Sequence, residues 1–105
     1  MKRVIKMDPE DNVATSLEKL EVGDEIEVVS EKGGVVDTFR ALQPIVFGHK
    51  IALVTIAEGS KVIKYGEYIG EATQLINRGD HVHIHNLKSL RIPIPEKVLE
   101  EVRME

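Results

Sequence analysis

The sequence predicts a small, sharply bent, mainly β fold of short strands, and three observations point there. The 105 residues are one domain's worth of chain. With two Tyr, two Phe and no Trp, the core must be built from Val, Ile and Leu, a composition that favours strands. Finally, a five-residue pattern recurs: an aliphatic residue, two variable residues, a Gly and a small oxygen-bearing residue. It appears as Leu20-Glu21-Val22-Gly23-Asp24, Ile56-Ala57-Glu58-Gly59-Ser60 and Ile76-Asn77-Arg78-Gly79-Asp80. Each copy runs into a strand-like segment. Such a pattern describes a tight corner in which Gly absorbs an unusual backbone angle, Asp or Ser bonds locally to the turn, and the aliphatic residue plugs the core. The unequal intervals between copies exclude a solenoid.

In chain order, Arg3 to Met7 reads as an opening strand, and Asp8-Pro9-Glu10-Asp11-Asn12 as a polar break whose acids face solvent. Val13 to Leu17 is a second short strand. After the first corner, Glu25 to Val29 alternates, Glu31-Lys32-Gly33-Gly34 makes a hairpin turn, and Val35 to Leu42 returns as its partner. Ile51 to Thr55 is an apolar strand. Lys61 to Lys64 follows the second corner, and Gly66 and Gly70 read as turns bracketing Glu67-Tyr68-Ile69. The third corner leads into His81-Val82-His83-Ile84-His85. Ile92-Pro93-Ile94-Pro95 is extended, because each Pro fixes φ and biases the residue before it. Glu96 to Arg103 then suits a helix of about two turns, with Pro95 at its start and Arg103 at its negative end. The expected organisation is a β domain over residues 1–91, then a Pro-containing linker and short helix over residues 92–105.

The net charge of -4 and the lack of a basic run offer no cationic face for nucleic acid. With no cysteine, disulfides, thiolate catalysis and Cys-ligated metals are excluded. The basic opening regains charge too soon for a signal peptide, and no apolar run approaches the roughly 20 residues of a spanning helix. The expected location is the cytoplasm, with no membrane contact.

Three of the four histidines fall at alternate positions, His81, His83 and His85. On a strand they share one face, with neighbours about 7 Å apart. Imidazole is both a metal ligand and a proton carrier near neutrality, although a solvated strand face with polar rings would show the same alternation. Structural zinc wants four ligands, and His49 is a fourth only if the fold brings it close. His49-Lys50 and Lys64-Tyr65-Gly66 are further polar groups near strand ends, consistent either with a site or with ordinary loops. No dinucleotide or phosphate loop is present.

Four blocks fall in one order: Gly48-His49-Lys50-Ile51-Ala52-Leu53, Val62-Ile63-Lys64-Tyr65-Gly66, Ile69-Gly70, and Gly79-Asp80-His81-Val82-His83-Ile84-His85-Asn86. Together with Asp11-Asn12-Val13-Ala14, they resemble the small N-terminal domain of the altronate/galactarate dehydratase family, which is a separate subunit in sulfolactate sulfo-lyase. The resemblance covers roughly residues 3 to 90. It implies a SAF-type β-clip of short strands and bent hairpins, and a lyase that eliminates water or sulfite β to a carboxylate. It also implies a large partner subunit and a divalent metal, Fe2+ or Mn2+, held mainly by that partner. The substrate would be a small sugar acid or sulfo-acid.

On that resemblance, His49, Lys50, His83 and His85 are the expected catalytic residues, and Lys50, Tyr65 and Asn86 the substrate ligands. His81, His83 and His85 are the expected metal contacts. The Glu31-to-Gly34 hairpin is longer than the family pattern leads one to expect. Two other readings compete with the lyase subunit. One is a non-catalytic SAF-type module for carbohydrate-acid binding or assembly. The other is a homo-oligomer in which His81, His83 and His85 of several copies meet at an axis around a metal.

Overall fold

The computed structural model describes residues 1–89. They form strands β1 (Lys2–Lys6), β2 (Val13–Ser16), β3 (Glu25–Ser30), β4 (Val35–Arg40), β5 (Lys50–Ala52), β6 (Lys61–Lys64), β7 (Glu67–Ala72), β8 (His81–Val82) and β9 (Leu87–Ser89). The fold is mainly β, with no helix among the described residues. The expected linker and helix over residues 92–105 lie outside the described residues. A six-stranded sheet runs β4-β3-β1-β2-β5-β8, and a three-stranded sheet runs β6-β7-β9. All pairings are antiparallel except β1 with β3.

Alternation along β2 and β5 builds two cores from one wall. Ala14 and Ile51 pair and bury into one cluster, with Val4, Leu20, Ile26, Val28 and Ile45. Val13 and Ala52 pair and bury into the other, with Ile56, Val62, Ala72, Ile76 and Val82. Successive residues on a strand face opposite ways, so the neighbours Ile51 and Ala52 of β5 serve one core each.

The structure contains four corners where the sequence pattern found three. The fourth is Ile45-Val46-Phe47-Gly48-His49, whose last slot holds an imidazole instead of a small oxygen-bearing group. All four close with the same bond: Asp24, His49, Ser60 and Asp80 donate their amides to the carbonyls three residues back, at 3.1, 3.0, 3.0 and 2.9 Å. The Gly of each has φ between 81° and 94°, the sign that the third position of a type II turn demands. At Gly79 even the space is missing, because a Cβ there would lie 2.7 Å from the Arg40 carbonyl.

The corners work in mated pairs. Leu20 and Ile45 exchange backbone bonds of 2.8 and 3.0 Å, and Ile56 and Ile76 do the same at 2.7 and 2.9 Å. The last two residues of each corner clip a small residue that stands four positions before the mate's aliphatic. These are Ala41 for the corner at Leu20, Ser16 for the corner at Ile45, Ala72 for the corner at Ile56 and Ala52 for the corner at Ile76. All four clipped residues are buried, which is why they are Ser or Ala.

Several expectations need correction. Ile51 to Thr55 is not one strand: β5 ends at Ala52, and Val54 is 49% exposed. Gly70 is no turn. It lies within β7 opposite Val62 and Ser89, where a Cβ would strike the Lys88 carbonyl. Gly66 is a turn residue, as expected. Asp11 is buried rather than solvated. The histidine run is strand only at His81–Val82, and His83 to Asn86 turns back into β9.

Candidate functional site

β5 begins where the corner at Ile45 ends, and β8 begins where the corner at Ile76 ends. Pairing of β5 with β8 sets Lys50 opposite Val82 and Ile51 opposite His81. Two further bonds tie Leu42 and Gln43 to the start of β8: the Leu42 amide donates to the Gly79 carbonyl at 3.0 Å, and the His81 amide donates to Gln43 Oε1 at 2.9 Å. His49, distant in sequence, thereby arrives beside His81 and His83.

The three rings stack. Centroids are 4.2 Å apart for His49 and His83, 5.1 Å for His49 and His81, and 5.5 Å for His81 and His83, with planes within 22° of parallel. His49 Nδ1 and His81 Nε2 are 2.9 Å apart, so one donates and the other accepts. One ligand nitrogen from each of the three lies within 4.8 Å of the others. The convergent set is therefore His49, His81 and His83. His85 is exposed, its ring 5.3 Å from that of His81 and tilted by 42°.

The local field is uniformly positive. Partial burial, then the charges of His49, His85, His83 and Lys50, lower the pKa of His81. His83 is lowered in the same way, by burial and then by His49, Lys50 and His85. Half-burial and then the charge of Lys64 lower Lys50. No carboxylate appears among these influences, and neither Lys50 nor Lys64 has an ion-pair partner among the described residues. Imidazoles kept neutral are free to ligate or to accept protons, and unbalanced ammonium groups favour an anion.

The β6–β7 hairpin brings Lys64 and Tyr65 into this neighbourhood. Asp11 and Asn12 hold it. The Asp11 carboxylate accepts the amides of Asp8, Tyr65 and Gly66 at 3.1, 3.0 and 2.8 Å. The Asn12 side chain accepts from the Ile63 amide at 2.8 Å and donates to the Lys61 carbonyl at 2.8 Å. Tyr65 sits at φ 57°, a costly angle for a bulky residue that this clamp maintains. Its ring is exposed, with Lys64 Nζ 5.2 Å from the centroid. Asn86 is 3% exposed, and its carboxamide accepts the His83 amide at 2.9 Å and donates to the His81 carbonyl at 2.8 Å. It thus braces the loop that carries the rings.

Sequence reasoning missed Asp11 and Asn12 as organisers of the site, and Lys64 as a neighbour of Lys50. The Asp-Asn pair just before a strand was the available signal, since both side chains bond readily to backbone. A cleft of about 320 Å³ lies elsewhere, lined in part by Lys6, Met7, Pro9 and Lys32. None of the histidines lines it; His49, His81 and His83 are partly buried, and His85 is exposed. No helix among the described residues is long and apolar enough to cross a membrane.

Fold and site together define a small β domain that displays a cluster of three imidazoles and unpaired ammonium groups at one end of a shared wall. The family model for the altronate/galactarate dehydratase SAF domain matches residues 2–90, and the chain belongs to that family. It is 37% identical to an altronate dehydratase of Bacillus subtilis over 85% of this chain and 17% of the relative. With an altronate dehydratase of Escherichia coli it shares 42% identity, over 81% of this chain and 16% of the relative. The alpha subunit of a (2R)-sulfolactate sulfo-lyase from Chromohalobacter salexigens is 45% identical over 56% of this chain and 68% of that subunit. The chain thus spans about a sixth of the dehydratases it matches and two thirds of the sulfo-lyase subunit.

Proposed function

We propose that this chain is the small SAF-type β-clip subunit of a two-subunit lyase, completed by a larger subunit. The enzyme would be a sugar-acid dehydratase of the altronate/galactarate type or a sulfolactate sulfo-lyase. The observation that carries this reading is the convergence of His49, His81 and His83 beside unpaired Lys50. The small share of the dehydratase length covered supports a larger partner. So do two large apolar side chains next to the imidazoles in sequence, Phe47 at 66% and Ile84 at 84% exposed, of the kind that mark interaction sites.

In the elimination, the bond from the α-carbon to hydrogen breaks as its electrons form a double bond to the β-carbon. Hydroxide, protonated to water, or sulfite leaves that carbon with its bonding pair. The resulting enol becomes a 2-keto-3-deoxy acid or pyruvate. Such chemistry needs a base for the α-proton and an acid for the leaving group. Exposed His85, outside the convergent set, takes the α-proton and returns one to the leaving group. Lys50 pairs with the substrate carboxylate, and Tyr65 lies on the hairpin beside it to orient hydroxyls. Asn86 acts from behind by holding the backbone of His81 and His83.

Three borderline nitrogen donors within reach of one point fit a divalent first-row ion, and suit Fe2+ better than Mn2+, which prefers oxygen. His49, His81 and His83 would hold it, with remaining ligands from the larger subunit. Bound there, it would stabilise the negative charge that develops next to the carboxylate.

The test is reconstitution of the chain with a large dehydratase or sulfo-lyase subunit from the same cell. His49→Ala and His83→Ala should each lower kcat/KM at least about 100-fold, as expected for loss of a metal ligand. Full activity in either variant removes the assignment.

A further inference from the structure

The face of β5 opposite the imidazoles has features that the reading above does not use. Thr15 stands directly across from Lys50 on β2, so their side chains share a face and lie about 5 Å apart at Cβ. That face is the one that Val13, Ala52 and Val82 bury into the second core. The Thr15 hydroxyl is buried and has no hydrogen-bond partner among the described residues, which is unusual for a buried polar atom. On the second sheet, Lys64 follows buried Val62 by two residues and so points to the same side. The hairpin that carries it is fastened to the first sheet by Asp11 and Asn12. Asn12, immediately before β2, exchanges bonds of 3.2 and 2.8 Å with Ile63, which sets the next residue, Lys64, at the junction of β2 and β6.

We infer that Thr15, Lys50 and Lys64 form an oxyanion subsite at the mouth between the two sheets, built to grip one acid group of the substrate with two ammonium groups and a hydroxyl. The subsite rests on the lyase reading only for the identity of its ligand, a carboxylate or sulfonate on a small hydroxy acid. A bound oxyanion supplies the two things this place lacks: an acceptor for the orphaned hydroxyl and a counter-charge for two ammonium groups without ion-pair partners among the described residues. Lys64 and Thr15 are then specificity residues. They hold the acid group at the Lys50 end of β5, next to the corner that carries His49.

The experiment is an NMR titration of the full chain with gluconate, for a sugar carboxylate, and with sulfate, for a sulfonate-like oxyanion. The Thr15 amide and the Lys64 side chain should shift together and saturate with one anion. Whichever probe binds more tightly identifies the acid group preferred. Lys64→Gln should weaken binding about tenfold and Lys64→Arg should keep most of it. Thr15→Val is the sharper variant, since it should weaken the anion several-fold while its melting midpoint stays equal or rises, the reverse of a structural threonine. Unchanged affinity in both Lys64→Gln and Thr15→Val overturns the subsite, as does an anion that shifts only the histidine resonances. A parallel anaerobic titration with Fe2+, read as paramagnetic shifts and broadening at His49, His81 and His83, tests the imidazole cluster separately. Silence there with anion binding intact removes the imidazole metal site, full activity of the reconstituted His49→Ala enzyme overturns the lyase reading, and the subsite stands in both cases.

Discussion

The corner at Leu20 and the corner at Ile45 are mates, closed by the same backbone bonds and packed into the same core, yet their last residues do different work. Asp24 turns inward, and its carboxylate accepts the Glu21 amide at 2.8 Å. In the other pair Asp80 does the same for Asn77 at 2.7 Å. His49 occupies the equivalent slot and does not brace its own turn, since its ring faces His81 and His83. The backbone keeps the corner shut in both cases. A residue released from bracing can therefore be given to chemistry without loss of the turn, and its position is fixed as firmly as that of its structural counterpart.

The largest test of this equivalence is truncation of the two plugs. Leu20→Ala and Ile45→Ala should each cost about 3 kcal/mol in urea unfolding, the usual loss for a buried aliphatic. The double variant should cost less than the sum, because the residues share one clasp. Strictly additive losses would break the pairing. Next comes His49→Asp, which makes the corner at Ile45 resemble the corner at Leu20. Activity of the reconstituted lyase should fall at least about 100-fold, while the domain gains up to about 1 kcal/mol from the restored local bond.

Removal of the braces separates the corners more finely. Asp24→Ala should destabilise by about 1 kcal/mol, and His49→Ala by much less, both read from denaturant midpoints at constant slope. The smallest effect is on pH. The pKa values of His81 and His83 are lower in the folded chain than their ordinary value, so the unfolded chain binds more protons on acidification. Their contribution to stability should be complete above about pH 6.5 and lost as pH falls through the lower folded values. His81→Gln should flatten that part of the profile, and a profile unchanged by it would sink the assignment.

Much of this was legible in the sequence, for a local reason. Three corners announced themselves because Gly and an oxygen-bearing residue sit at a fixed distance from an aliphatic. The fourth was hidden by the substitution that makes it useful, His49 in the oxygen slot. A longer pattern would have found it, since Ser16, Ala41, Ala52 and Ala72 each stand four residues before a corner's aliphatic. The stack of His49 on His83 was not legible, because it depends on pairing of β5 with β8. Asp11 looked solvated because its partners, the amides of Tyr65 and Gly66, are far along the chain. The His81-to-His85 alternation suggested a longer strand than exists, since nothing local announced that Asn86 draws the backbone into a turn.

The imidazole cluster draws one ring from the Leu20–Ile45 pair of corners and two from the segment after Ile76. Neither half of the domain holds a usable set of ring nitrogens. A nascent or partly unravelled chain should then be unable to scavenge metal, and ion uptake becomes a late signal that both clasps have locked.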